Sequence, residues 1–375
     1  MSAGAPANPP RSLLVVRLGA MGDVIHTMYA VSLLRQSLPE TQIGWVVEER
    51  WAELLCANGE PRSGARSPSR PLVDFVHVVN TKSWRKAPLA SETRQQFSAA
   101  LKEIREQQYD VAIDFQGAIK SALLARLSRP ETLLGMDEPR EAPARLFYSQ
   151  SVPAKGTHVI EQYCSLAEAA FVNHRASLDR TAEGGRPYAN LNASGDVLPR
   201  DAAAEQVIAD KLHNINAPIV LINPGAGWGA KEWPPERYGE VARALAKEGA
   251  RVLVNYGPGE EQLAKDVQDS SDGAAEPTTC SIAELIALTR RARLLIGGDT
   301  GPLHLAAALG VPLVAIFGPT DPARNGPYSQ SSIGLRSPAS RTSLSHTREP
   351  DPGLPKITPD EVLAAARKLL GSNHA

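Results

Sequence analysis

The sequence predicts an α/β protein made of two doubly wound domains of similar size, each built on a parallel sheet. Three observations predict it. Short runs of Val, Ile and Leu alternate with helical patterns from one end of the chain to the other. The alternation lapses over residues 173–199 and then resumes. Turns rich in Gly, Asp and Thr follow directly on several of the apolar runs. Continuous apolar strands separated by helices are what a parallel sheet covered on both faces requires. A chain of 375 residues is long enough for two such domains.

Residues 1–11 are dominated by Ala, Pro, Asn and Ser and read as a disordered tail with no apolar signal segment. Residues 13–18 read as a strand, 24–34 as a helix ended near Pro39, 43–47 and 74–79 as strands, about 92–106 as a helix and 110–114 as a strand. These fall in a first domain over 12–185. The stretch 173–199, rich in Gly, Arg, Asn, Ala and Pro, reads as the linker. A second domain over 200–355 follows, with strands at 218–222, 251–254, 294–296 and 311–317 and helices at 235–247 and 303–309. Ser281 and Glu284 form a capping box that opens a further helix. Residues 325–355 read as loop. Thr358, Pro359 and Glu361 then supply an N-cap, a Pro at N1 and a Glu at N3 for a C-terminal helix within 356–375.

Composition removes several classes of function. Forty basic against forty-one acidic side chains give a net charge of −1, so no global field recruits nucleic acid. Cys56, Cys164 and Cys280 stand far apart, which excludes a disulfide scaffold and a Cys-based zinc site and fits a reducing cytosol. No apolar stretch approaches the ~20 residues of a membrane helix. There is no Asp-x-Asp pair after a strand, no His-Glu-x-x-His and no Gly-x-Ser-x-Gly elbow, so metal and serine-hydrolase chemistry have little support.

In doubly wound folds ligands bind outside the carboxyl ends of the strands, here expected to face a cleft between the domains. The candidate residues follow strands accordingly. After the first strand, Gly19 and Gly22 permit a tight turn, and Asp23 at the helix start is either a plain N-cap or a general base. In the second domain, the small residues of 223–228 let backbone N–H groups meet an anion, and Lys231 offers a point charge; a Gly-rich loop with a solvated Lys is the plain alternative. A carboxylate within 256–261 could accept from ribose hydroxyls, or belong to a surface turn. At 298–304 a strand ends, Asp299, Thr300 and Gly301 turn, and a helix begins, so amides, a hydroxyl and the helix dipole converge, with His304 as a further donor. Residues 318–322 close that set. Lys82, Arg85, Lys86, Lys120 and Arg140 make a basic group in the first domain that suits an anionic second substrate.

Taken in order, these motifs resemble the ADP-heptose lipopolysaccharide heptosyltransferases, inverting enzymes of the GT-B fold. The matching stretches are residues 21–27, 45–49, 84–86, 114–122, 135–137, 140–141 and 146–148, then 231–234, 299–301 with His304, and 318–322. The inner-core members that act on Kdo–lipid A match best. The resemblance implies ADP-heptose as donor and Kdo–lipid A as acceptor, without a metal or other cofactor, at the cytoplasmic face of the inner membrane with transient surface contact. It implies that Asp23 is the general base and that Lys231 meets the donor diphosphate. Gly22, Asp299, Thr300, Gly301 and His304 belong on the donor side, and Glu260, with Glu261 beside it, on the adenosine ribose. Arg85, Lys86, Lys120 and Arg140 would meet Kdo carboxylates and lipid A phosphates. A related transferase with another nucleotide sugar or core position, or a non-catalytic nucleotide-sugar-binding module, is the alternative. The loop 225–228 lacks the hydroxyls the family can offer to phosphates, and the Ser-rich segment from Ser329 departs from the family's ending.

Overall fold

Four consecutive side chains that never meet water, Leu13 to Val16, begin the first sheet. The computed structural model describes residues 9–171, 188, 197–213, 215–343, 349 and 351–371. Most of the tail 1–11 and of the linker 173–199, and part of the loop 325–355, lie outside the described residues. The chain divides into two compact units with the boundary at Arg200 and Asp201.

The first unit runs β1 (Ser12–Val16), α1 (Met21–Ser37), β2 (Gln42–Glu48), β3 (Phe75–Val79), α2 (Thr81–Lys86), α3 (Ser91–Glu106), β4 (Val111–Asp114), α4 (Ile119–Leu127), β5 (Thr132–Met136), β6 (Gln150–Val152) and α5 (Val159–Glu168). The strands form one six-stranded parallel sheet in the order β3-β2-β1-β4-β5-β6. Helix α1 is apolar almost all round and packs on α5, so it is buried nearly along its length. Tyr109, Leu101, Ile104 and Leu124 close the core beneath β1 and β4.

The second unit runs α6 (Ala202–Lys211), β7 (Ile219–Asn223), α7 (Pro235–Lys247), β8 (Arg251–Asn255), α8 (Glu261–Ser270), β9 (Ala275–Thr278), α9 (Ile282–Arg291), β10 (Leu294–Gly298), α10 (Gly301–Ala308), β11 (Leu313–Phe317), α11 (Pro322–Asn325), β12 (Ser332–Arg336) and α12 (Pro359–Gly371). Its six parallel strands lie in the order β12-β11-β10-β7-β8-β9. Counted from its own first strand this is again 3-2-1-4-5-6, so the two units repeat one Rossmann-like topology. Trp233 and Tyr238 meet edge-to-face in its core with centroids 4.7 Å apart, and the Trp233 indole N–H donates to the Ile357 carbonyl at 3.1 Å. That bond fixes the approach of α12, whose Val362, Leu363 and Ala366 complete the same core.

The two caps read from the sequence are present. Ser281 Oγ accepts from Glu284 N at 3.1 Å while Glu284 accepts from Ser281 N at 2.8 Å. Thr358 and Glu361 exchange the same pair of bonds ahead of α12. Two readings require correction. Residues 325–355 are not all loop, and 311–317 does not hold the last strand, because β12 pairs in parallel with β11. As a half-exposed edge strand containing Gly334, β12 lacks the continuous apolar run that marks a buried strand. Between 115 and 172 the alternation had assigned nothing, yet α4, β5, β6 and α5 lie there.

Candidate active site

In the first unit the chemistry collects at the carboxyl ends of β1, β3, β4 and β5. Asp23 is not an N-cap: it is the third residue of α1, and its Oδ2 accepts from the backbone N–H of Ala20 at 3.1 Å. The same oxygen pairs with the Arg17 guanidinium at 2.6 Å, while Oδ1 has no partner among the described residues. The carboxylate's side chain is 37% exposed, so one oxygen is anchored and the other faces solvent. Gly22, one residue earlier, lies in the first turn, whose amides have no carbonyl four residues back to bond.

Arg17 itself is buried and held from several sides. Its Nη1 donates to the Phe115 carbonyl at 2.5 Å, and its guanidinium stacks over the Tyr163 ring at 5.3 Å. Burial works against its charge, but Tyr163, Asp23 and Asp114 outweigh that and raise its pKa further. Asp114 ends β4 fully buried. Its carboxylate accepts from Gln116 N at 3.0 Å, Gly117 N at 3.3 Å, Ser121 Oγ at 3.1 Å and Tyr148 OH at 2.9 Å. Burial pushes its pKa up to about 6, against the hydrogen bonds from Tyr148, Ser121 and the two amides. Asp114 thus shapes the 115–117 turn on which Arg17 rests.

The basic residues gather on the same edge. Arg85 and Lys86 are exposed on α2, which follows β3. Lys120 lies in the first turn of α4 and its Nζ donates to Thr81 Oγ1 at 3.3 Å, joining α4 to α2. Gly117, at φ +63°, lets the chain turn against Arg140: a Cβ there would stand 2.9 Å from Arg140 N. Glu141 N donates to the Gly117 carbonyl at 2.8 Å, which sets Arg140 beside the 115–120 segment.

In the second unit the chemistry stands after β7, β8 and β10. Asp299 is buried, and both carboxylate oxygens are engaged: Lys231 Nζ lies 2.7 Å from Oδ2 and His304 Nε2 lies 3.1 Å from Oδ1. Burial alone would raise its pKa, but hydrogen bonds and charge from His304 and Lys231 together hold it well below the usual carboxylate range. Lys231 Nζ also donates to the Asp299 carbonyl at 3.2 Å and sits 5.2 Å from the Trp228 ring centroid. With two of an ammonium's three donors on Asp299, one remains for a ligand. The predicted His304 donor is therefore directed at Asp299 through Nε2. Thr300 is the N-cap residue of α10 without a side-chain cap bond; its Oγ1 accepts weakly from Asn223 Nδ2 at 3.5 Å, and Gly301 opens the helix.

Glu260 and Glu261 separate clearly. The Glu260 carboxylate accepts from Gly257 N at 2.8 Å and lies over Gly225, where a Cβ would fall within 2.2 Å of it. Glycine at 225 is what lets the two loops meet. Glu261 is fully exposed and bonds back to Gly259 N at 3.2 Å. Thr320, in the turn after β11, keeps a buried hydroxyl without a hydrogen-bond partner among the described residues.

Arg17 and Asp114 lie in the segments 13–18 and 110–114, which the sequence marks as strands without a site role. The signal was available, since each is a charged residue at the end of an otherwise apolar strand run. Among the described residues no group of three or more His, Cys, Asp or Glu side chains converges on a metal position. None of the described helices is long and apolar enough to cross a membrane.

Two Rossmann-like units with charged residues concentrated at their strand ends have the architecture of the GT-B fold. The chain belongs to glycosyltransferase family 9, the heptosyltransferases, whose family model matches residues 98–351. It is similar to lipopolysaccharide heptosyltransferase 1 of Pseudomonas aeruginosa, at 32% identity over 87% of this chain and 83% of that one. The Escherichia coli K12 protein of the same name is 29% identical over 87% of this chain and 93% of its own length. Among solved structures, Escherichia coli heptosyltransferase WaaC with ADP superimposes with a TM-score of 0.74 at 26% identity, covering 96% of this chain and 99% of that chain.

Proposed function

We propose that this heptosyltransferase moves L-glycero-D-manno-heptose from ADP-heptose to Kdo of Kdo–lipid A, with inversion at the anomeric carbon. The reading is supported most by the half-free carboxylate of Asp23, anchored through Oδ2 to Arg17 and open at Oδ1. A binding module has no use for such a group. The relatives named lipopolysaccharide heptosyltransferase 1 and the WaaC structure with ADP-2-deoxy-2-fluoro heptose support the donor and the reaction.

In this mechanism Asp23 Oδ1 takes the proton of the acceptor hydroxyl as that oxygen attacks the anomeric carbon. The bond from the anomeric carbon to the diphosphate oxygen breaks on the opposite face, and ADP leaves with the electron pair. The third donor of Lys231 and the Gly301 amide at the start of α10 stabilise the charge gained by ADP, a preorganised electrostatic effect. Asp299 and His304 hold Lys231 in place on the donor side, Thr300 offers a hydroxyl, and Glu260 accepts from the ribose. Gly22 allows close approach at the start of α1. Lys120, Arg140, Arg85 and Lys86 receive the carboxylates and phosphates of the acceptor, for which Arg has the forked geometry. The enzyme works in the cytoplasm, at the inner face of the inner membrane, where a lipid-anchored acceptor resides.

The test is saturation binding of a panel of nucleotide sugars followed by turnover with Kdo–lipid A. ADP-heptose should bind selectively and be consumed with stoichiometric release of ADP. Selective binding of another nucleotide sugar, or binding without turnover, would assign the chain to one of its alternatives. Turnover should survive exhaustive chelation; activity abolished by chelator and restored by Mg²⁺ or Mn²⁺ would put a cation on the diphosphate in place of Lys231.

A further inference from the structure

Five large apolar side chains are exposed among the described residues, and four of them, Leu89, Ile119, Leu123 and Leu146, belong to the first unit. A lone exposed Leu is ordinary. A group of them beside several cations is not. Ile119 and Leu123 stand one helical turn apart on the outer face of α4, and Arg126 continues that face. The 3₁₀ turn Ala142–Phe147 packs against α4, and Glu141 at its start accepts from Ile119 N at 2.8 Å. It carries Leu146, which is 86% exposed, beside exposed Arg145. Lys120 and Arg140 flank the same corner, and the bond from Lys120 to Thr81 ties in α2 with its Lys82, Arg85 and Lys86; Leu89 follows α2 and is as exposed as Leu146. The acidic residues nearby are Asp137, Glu138 and Glu141 beside the 3₁₀ turn and Glu48, Glu49 and Glu92 beside α2; Glu141 is engaged by the Ile119 amide and Glu48 by the Thr81 hydroxyl.

We infer that the corner formed by Ile119, Leu123 and Leu146 is a docking surface for an anionic phospholipid leaflet, with Lys120, Arg126, Arg140 and Arg145 at headgroup level. This rests on the proposed lipid-anchored acceptor and names the surface that brings the enzyme to it. Charge selects this occupant. The chain as a whole has a net charge of −1, so no general attraction to anions exists, whereas this corner sets the apolar tips of Ile119, Leu123 and Leu146 beside four exposed cations, Lys120, Arg126, Arg140 and Arg145. Apolar insertion combined with basic residues at the surface is the pairing that holds proteins reversibly on anionic membranes.

The experiment is vesicle flotation of the full chain with phosphatidylglycerol/phosphatidylethanolamine vesicles and with phosphatidylcholine vesicles. It compares wild type, Leu123→Gln/Leu146→Gln and Arg126→Gln/Arg145→Gln. Wild type should float with the anionic vesicles only. The Leu variant should lose at least about tenfold in partitioning, since several buried CH₂ groups are lost. The Arg variant should lose about fivefold per charge at low ionic strength and less at high salt. Turnover of a water-soluble Kdo acceptor without acyl chains should be unchanged in both variants, while turnover of vesicle-embedded acceptor falls. Equal flotation of wild type and variants, equal binding to neutral vesicles, or a change in self-association of the Leu variant with no change in flotation would overturn the assignment. Loss of flotation in the variants supports the surface even if wild type turns over neither acceptor, a result that would count against the functional reading alone.

Discussion

The two units carry a buried aspartate at the same point of the same topology, and the two differ in their partners and in the net direction of their pKa shift. Asp114 ends the fourth strand of the first unit, and Asp299 follows the fourth strand of the second. Asp114 is surrounded by neutral donors, two amides and two hydroxyls, and burial drives its pKa up to about 6. Asp299 lies between Lys231 and His304, whose combined effect overcomes burial and drives its pKa down. The segments after the first strands differ as well: the first unit presents a carboxylate, Asp23, and the second an ammonium, Lys231. One backbone plan therefore supports two opposite fields. The first unit keeps a partly free carboxylate, and the second keeps a cation fixed on Asp299. Fold alone does not decide which strand end accepts a proton and which holds an anion.

The contrast can be broken hardest at Asp299. Replacing it by Asn removes one partner of a buried pair and leaves Lys231 uncompensated, which costs about 3–5 kcal/mol. The sign with pH follows from its depressed pKa. The stabilisation is present above the unfolded carboxylate value near 4 and is lost as pH falls through the lower folded value. Denaturant unfolding should therefore show a large gap between wild type and Asp299→Asn at pH 7 that narrows on acidification below about pH 4. A constant gap would mean that packing, not charge, is what Asn disturbs.

Asp114 should behave in the opposite sense. Its folded pKa of about 6 lies above its unfolded value, so its contribution is fully present below about pH 4 and declines as pH rises through 6. The gap between wild type and Asp114→Asn should grow by up to roughly 3 kcal/mol from pH 7 to pH 4. A gap that shrinks over this range would remove the distinction between the two aspartates.

The smallest effect concerns the rim. Arg140→Ala or Lys120→Ala should weaken acceptor use about 10- to 100-fold, the range of a hydrogen bond to a charged group. ADP-heptose affinity should stay nearly unchanged. The loss should shrink at high salt, since part of the attraction is screened over about 8–10 Å. Paired titrations of donor and acceptor at two ionic strengths measure this. Loss of donor affinity instead would place these cations on the nucleotide side.

How far these features were legible in the sequence depends on whether they are local. The two α/β units, the Ser281 capping box and α7 at Pro235–Lys247 follow from apolar runs and cap residues a few positions apart. Helix α4 and strand β12 escaped because their burial depends on partners far along the chain: α4 packs on the turn at 142–147, and β12 is an edge strand paired on one side. The same limit governs the site. The positions of Asp23, Lys231 and Asp299 after strands could be read directly. That Arg17 anchors Asp23 through support from Phe115 and Tyr163, about 100 and 150 residues away, could not. Likewise the sequence offered His304 and Lys231 as two separate donors, whereas the folded chain directs both at one carboxylate.

Division of labour between the units is tested most directly at Asp23. In Asp23→Asn, ADP binding measured by calorimetry should match wild type, because the proposed donor residues other than Gly22 lie in the other unit. Turnover of ADP-heptose with Kdo–lipid A should fall about 10²–10⁴-fold, the usual contribution of a general base. Near-normal turnover by the folded variant, or loss of ADP binding with it, would contradict the assignment of the base to Asp23 and the separation of the two roles.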